Sequence, residues 1–119
     1  MPNHASFVAF LLEHLSPLGE ITTRRLFGGN SLYCEGIVFA LVANDTLYLK
    51  ADDINRIDFE SAALPQFHPF GDTRMSMGYY QAPSELFEDA DAMHRWAGSA
   101  VAAGRRASIK KSRRKKKRT

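Results

Sequence analysis

After Asp91 the chain has no acidic residue, and that absence divides it in two. Six cations and thirteen carboxylates lie before residue 105, a balance of −7, while the other ten of the sixteen Lys and Arg lie from Arg105 onward. The overall charge of +3 and the pI of about 9.2 therefore belong to the C-terminal segment, and the body is acidic. Charge of opposite sign in two parts of one chain points to two jobs. Cysteine is nearly absent: Cys34 stands alone, so no intrachain disulfide and no cysteine-based zinc site can form. That usage fits a reducing cytoplasm. No apolar run approaches the roughly 20 residues that span a bilayer, and Met1-Pro2-Asn3-His4 lacks the basic start of a secretory leader. A cytoplasmic protein is expected.

Catalytic patterns are equally scarce. His4, His14, His68 and His94 are scattered, with no pair at the spacing of three or four that sets two ligands on one helix face. Gly28-Gly29 lacks a following Lys-Ser/Thr and a third spaced glycine, so it reads as a sharp bend or bulge and not as a phosphate loop. Cys34 has no basic or histidine neighbour in sequence and reads as a buried, idle thiol. Asp52-Asp53, just after a predicted strand, reads as a helix cap before it reads as an acid pair. The expectation is therefore of no enzyme, with no catalytic residue, no cofactor and no metal.

What is present is the pattern of one α+β domain over residues 1 to 104. Phe7, Phe10, Leu11, Leu15 and Leu18 recur at helical spacing from Asn3 to Ser16, and Pro17 with Gly19 ends that helix. Short β-type runs follow: Thr23 to Phe27, Ser31 to Cys34, Ile37 to Ala43 and Thr46 to Ala51. Glu35-Gly36 and Asn44-Asp45 are two-residue links that favour tight hairpins. The run from Ile37 to Val42, apolar throughout, is expected at the centre of an antiparallel meander. A short helix from Ile54 to about Ala62 should turn Ile57 and Phe59 inward, and a strand should run from Met75 to Tyr80. Pro83 suits the first turn of another helix. Asp89 would cap a last helix with Met93, Trp96, Ala97, Ala100 and Val101 inward, and Gly104 should stop it.

Three features bear on binding. Residues 105 to 119 read as a disordered basic tail: Arg105, Arg106, Lys110, Lys111, Arg113, Arg114, Lys115, Lys116, Lys117 and Arg118 leave too few apolar groups to offset chain entropy. Such a run attracts polyanions by counterion release, without regard to base sequence. The competing reading is a solubilising tail drawn to its own acidic body. With no aromatic interleaved, stacking on bases is not implied. Arg24 and Arg25, adjacent in a strand, point to opposite faces, so at most one serves a given partner surface. The plainer reading pairs them with body carboxylates. Tyr80 either lies exposed over Gly78 as a partner contact or merely covers that glycine.

The order of blocks is distinctive. Thr23-Arg24-Arg25-Leu26-Phe27-Gly28-Gly29 precedes Leu32-Tyr33, Gly36, Phe39-Ala40-Leu41 and Leu47-Tyr48-Leu49-Lys50-Ala51-Asp52. Met75-Ser76-Met77-Gly78-Tyr79-Tyr80-Gln81-Ala82-Pro83 and Trp96-Ala97 follow. Over about residues 5 to 103 this resembles the N-terminal domain of the TfoX/Sxy family. The resemblance implies an antiparallel sheet packed by helices. Full-length members are bacterial regulators of natural competence that act with a cyclic-AMP-responsive activator at promoters of DNA-uptake genes. They carry a second, helical domain of helix-hairpin-helix character, where this chain has its basic tail. No catalytic or ligand residue carries over. The resemblance implies a stand-alone domain acting as a binding or regulatory module with a protein partner in transcription regulation, and the charge of the tail adds nonspecific nucleic-acid contact. The alternatives are a nucleic-acid binder acting mainly through the tail, and a protein-interaction domain unrelated to competence.

Overall fold

The first helix forms where the 3,4 spacing of apolar residues begins and stops one turn before Pro17. In the computed structural model, which describes residues 3–26, 28–68 and 78–117, α1 spans Ala5–His14 and a 3₁₀ turn, Ser16–Leu18, follows. Leu11 and Leu15 are fully buried and Phe7 packs on the core edge, while Phe10 stays 44 % exposed. The chain then folds as a meander: β1 (Ile21–Leu26), β2 (Gly29–Cys34), β3 (Ile37–Ala43) and β4 (Thr46–Lys50), with β5 (Tyr79–Gln81) added beside β4. All neighbours are antiparallel in the order β1-β2-β3-β4-β5, so the continuously apolar β3 is central as expected.

The turns explain the register. Glu35 and Gly36 have φ of 51° and 80°, and Asn44 and Asp45 have 51° and 55°. Two successive positive φ values make the tight hairpin turn that matches strand twist. Between β2 and β3 the register slips at Leu32/Tyr33: Leu32 faces Ala40 and Tyr33 faces Val38, leaving Phe39 as the extra, fully buried residue of a bulge. Gly29 ends the β1–β2 turn, and a Cβ there would lie 2.6 Å from the Val42 carbonyl oxygen.

Helices cover one face of the sheet. On that face lie Leu32, Cys34, Ala40, Val42, Leu47, Leu49 and Tyr80. Against them pack Leu11 of α1 and Leu15 at its C-cap, Phe59 of α2 (Arg56–Ser61), and Met93, Ala97, Ala100 and Val101 of α3 (Ala90–Lys117). Asp89 caps α3 as expected, its Oδ1 accepting from the Asp91 N–H at 2.9 Å. A 3₁₀ turn, Ser84–Phe87, follows Pro83 where a helix was expected.

Two expectations about the helices are corrected. Ile57 does not turn inward: α2 is under two turns long, Phe59 takes its buried face, and Ile54 and Ile57 are 66 % and 64 % exposed. Gly104 does not stop α3. It lies buried inside a 28-residue helix, with the Val38 carbonyl oxygen 2.5 Å from where a Cβ would stand. The glycine serves close approach of helix to sheet, not chain reversal. Of the expected strand from Met75, only Tyr79–Gln81 is described; residues 75–77 lie outside the described residues.

One polar residue holds α2 to α3. Asn55 is 4 % exposed, and its Nδ2 donates to the Lys50 carbonyl (3.1 Å), the Ser99 carbonyl (3.3 Å) and Ser99 Oγ (3.0 Å). Its Oδ1 accepts from the Asp52 N–H at 2.7 Å, and Asp52 Oδ1 accepts in return from the Asn55 N–H at 3.2 Å. The reciprocal pair works like a capping box. Asn55→Ala should cost about 2 kcal/mol, because buried groups lose their partners. A lower denaturant midpoint at unchanged m-value checks this.

Candidate functional site

α3 leaves the body as a helix. The expectation of a disordered tail from residue 105 is corrected: residues 105–117 continue the helix begun at Ala90. Arg, Lys and Ala are good helix formers, and cations near the C-terminal end sit favourably in the helix dipole. The side chains of Arg105, Lys110, Lys111 and Arg113 are exposed. Arg114, Lys115, Lys116 and Lys117 lie within the helix, and Arg118 lies outside the described residues.

Arg106 differs from the other cations of this segment. Its Nε donates to Asp52 Oδ2 at 2.6 Å and its Nη2 to Asp52 Oδ1 at 2.9 Å, a two-point grip on a carboxylate that also caps the turn into α2. Arg106 therefore belongs with the body. The Asp52 carboxyl is held down at about 2, first by the Arg106 guanidinium and also by the Asn55 and Ile54 N–H groups, against partial desolvation. A depressed carboxyl stabilises the fold above its unfolded value near 4, and that contribution fades as pH falls toward 2. The thermal midpoint of Asp52→Asn should therefore lie a few degrees below that of the parent at pH 6 and converge with it near pH 2.

Arg24 and Arg25 are separated as strand alternation requires, and both are exposed. Arg24 lies over the Tyr33 ring, 5.6 Å from its centroid, on the face away from the helices. Arg25 faces Asn30 across the hairpin and borders a groove beside α1. Among the described residues neither pairs with a carboxylate, so the ion-pair expectation is corrected. Of the body's carboxylates, Asp53 and Glu60 lie against Arg56 and Glu85 lies against Arg95.

Tyr80 is not a surface residue. It is 4 % exposed, stacked on Phe59 at 5.2 Å between ring centroids, and Phe59 in turn meets Trp96 at 5.4 Å. Pairing of Tyr80 with Leu49, a core residue of β4, fixes its side. Tyr79, on the other face, is also buried, with Lys50 Nζ 5.1 Å from its ring centroid, and burial pushes its phenol up to about 12. Cys34 Sγ is buried, 3.6 Å from the Leu18 carbonyl oxygen, and burial raises the thiol above its usual range. His94 is an exposed helix residue whose Nδ1 lies 3.0 Å from the Ala90 carbonyl oxygen. Among the described residues no three His, Cys, Asp or Glu gather to hold a metal ion, and no helix is long and apolar enough to cross a membrane.

Sequence reasoning missed the Arg106–Asp52 grip, the Asn55 hub and the groove at Arg25. Each joins segments far apart in the chain. Asp52-x-x-Asn55 was the one local signal, as a capping pair.

No curated protein matches this chain. A family model does, that of the TfoX N-terminal domain, over residues 13–104. Its match takes in all five strands and ends at Gly104, at the point where α3 turns basic. This chain belongs to the TfoX N-terminal domain family.

Proposed function

We propose that this chain is a non-enzymatic binding module whose α3 extension holds it on nucleic acid through phosphate charge. The acidic body is then left to meet a protein of the transcription machinery. The observation that carries this reading is the basic end of α3: a helix that leaves the fold with exposed cations and no carboxylate after Asp91. Arg106, gripped by Asp52, anchors the base of that helix, so the cations beyond it are presented on a supported element. A phosphate backbone is the partner that rewards such a run, since each neutralised phosphate releases counterions. The −7 body disfavours any other contact with the same backbone.

The test is salt-titrated binding of the full chain, and of a chain ending at Ala107, to double-stranded DNA of two unrelated sequences. Binding confined to the full chain, and equal on the two sequences, supports the reading. Equal binding by both chains would move the contact to the body. A strong preference for one sequence that survives high salt would mean base readout and would overturn the sequence-indifferent phosphate contact.

A further inference from the structure

Among the described residues, β1 is a terminal strand of the sheet with no strand paired to its outer side. Its hydrogen bonding can be assigned by residue. The Glu35 N–H donates to the Glu20 carbonyl at 2.9 Å, so Glu20 and Glu35 form a bonded pair. Bonded and non-bonded pairs alternate along an antiparallel ladder. Thr22, Arg24 and Leu26 therefore turn their backbone groups toward β2, and Ile21, Thr23 and Arg25 turn theirs outward. The side chains of Ile21, Thr23 and Arg25 lie on the helix-packed side, opposite Cys34, Leu32 and Asn30.

Arg25, at the hairpin end of that outward row, borders a groove of about 620 Å³ between α1 and the β1–β2 hairpin. Val8 and Leu12 of α1 supply apolar wall, Leu26 borders the groove at the hairpin, and among the described residues Arg25 is its one charged residue. Arg25 makes no ion pair and no ring contact among the described residues, although the body holds an excess of carboxylates. We propose that β1 and this groove are a docking site for an extended acidic segment of a partner protein, added to the sheet as a sixth strand. Outward N–H and C=O groups of Ile21, Thr23 and Arg25 hold its backbone, Arg25 takes a carboxylate, and an alternate apolar side chain enters the groove.

Charge decides between this occupant and a second copy. Two β1 strands paired about a twofold axis would bring four arginines, Arg24 and Arg25 from each chain, into one short interface, while β1 itself carries no carboxylate, Glu20 and Glu35 lying at its start. Like charges across strands are destabilising. An acidic strand meets the same arginines with favourable sign.

The probe is a capped seven-residue peptide with valine and glutamate alternating on one face and threonine at every second position. Its fluorescently labelled form is titrated with the full chain, and so are two versions N-methylated on one or the other alternate set of amides. One methylated set should abolish binding and the other leave it intact, because only one set faces β1. Arg25→Gln should weaken the parent peptide about tenfold, as expected for a lost charge-assisted contact. Binding indifferent to methylation would mean attraction to the basic end of α3 and would overturn the proposal. A chain that sediments as a dimer and ignores the peptide would overturn it too, and would assign the edge to a second copy.

Discussion

Titrated against salt, binding of the full chain to double-stranded DNA should give a line of log affinity against log salt with a slope near −5. Counterion release contributes about −0.9 per neutralised phosphate, and about six contacts are expected from the cations beyond Arg106. A helix turns about 100° per residue, so a run this dense is distributed around the axis and only part of it meets one backbone at a time. Replacing Lys115, Lys116 and Lys117 together with Gln should flatten the slope by up to about three contacts' worth, equally on unrelated sequences. Arg106→Gln should leave the slope nearly unchanged, because that guanidinium already holds Asp52. A slope that falls as much for Arg106→Gln as for a surface lysine would show the grip opening on DNA. A slope near zero for the full chain would remove the electrostatic reading altogether.

The second large effect is a pair of opposite sign within one helix. Gly98 and Gly104 both sit in α3, and alanine is the better helix former by about 1 kcal/mol at either place. Around Gly98 nothing lies within 4 Å of an added Cβ, so Gly98→Ala should raise the thermal midpoint by a few degrees. At Gly104 the added carbon would stand 2.5 Å from the Val38 carbonyl oxygen and 3.1 Å from Ile37 Cγ2. Backbone cannot yield as a flexible side chain does, so overpacking of about 2 to 3 kcal/mol should outweigh propensity. The net loss of about 1 to 2 kcal/mol should lower the Gly104→Ala midpoint by roughly 4 to 10 °C. If both variants stabilise, helix and sheet are not in close contact at Gly104, and the buried path of α3 is wrong.

What the sequence made legible was local. The Glu35-Gly36 and Asn44-Asp45 links carried their turn geometry in their residue types, and the apolar run of β3 announced its central place. The stripe from Met93 to Val101 named the inward side of α3. What stayed hidden depended on partners distant in the chain. Gly104 has two common uses, chain reversal and close packing, and only the approach of Val38 selects the second. Alternation separated Tyr79 from Tyr80, but the pairing with Leu49 decided which of them joins Phe59. Arg24 and Arg25 looked pairable because carboxylates were plentiful, yet among the described residues the fold brings none of them within ion-pair distance of either arginine. Arg106 read as one more cation of a solvated run until Asp52 was brought against it from 54 positions away.

The two ends of the sheet are finished differently. Beyond β5 the chain crosses back on itself: the Phe67 N–H donates to the Tyr79 carbonyl at 2.8 Å, and the Gln81 N–H to the Pro65 carbonyl at 2.8 Å. Among the described residues the outer side of β5 is thus taken up by the chain itself, while the outer side of β1 is paired to no strand. Edge-to-edge association through β1 alone would join two chains and stop there, because each β1 is used up by the other.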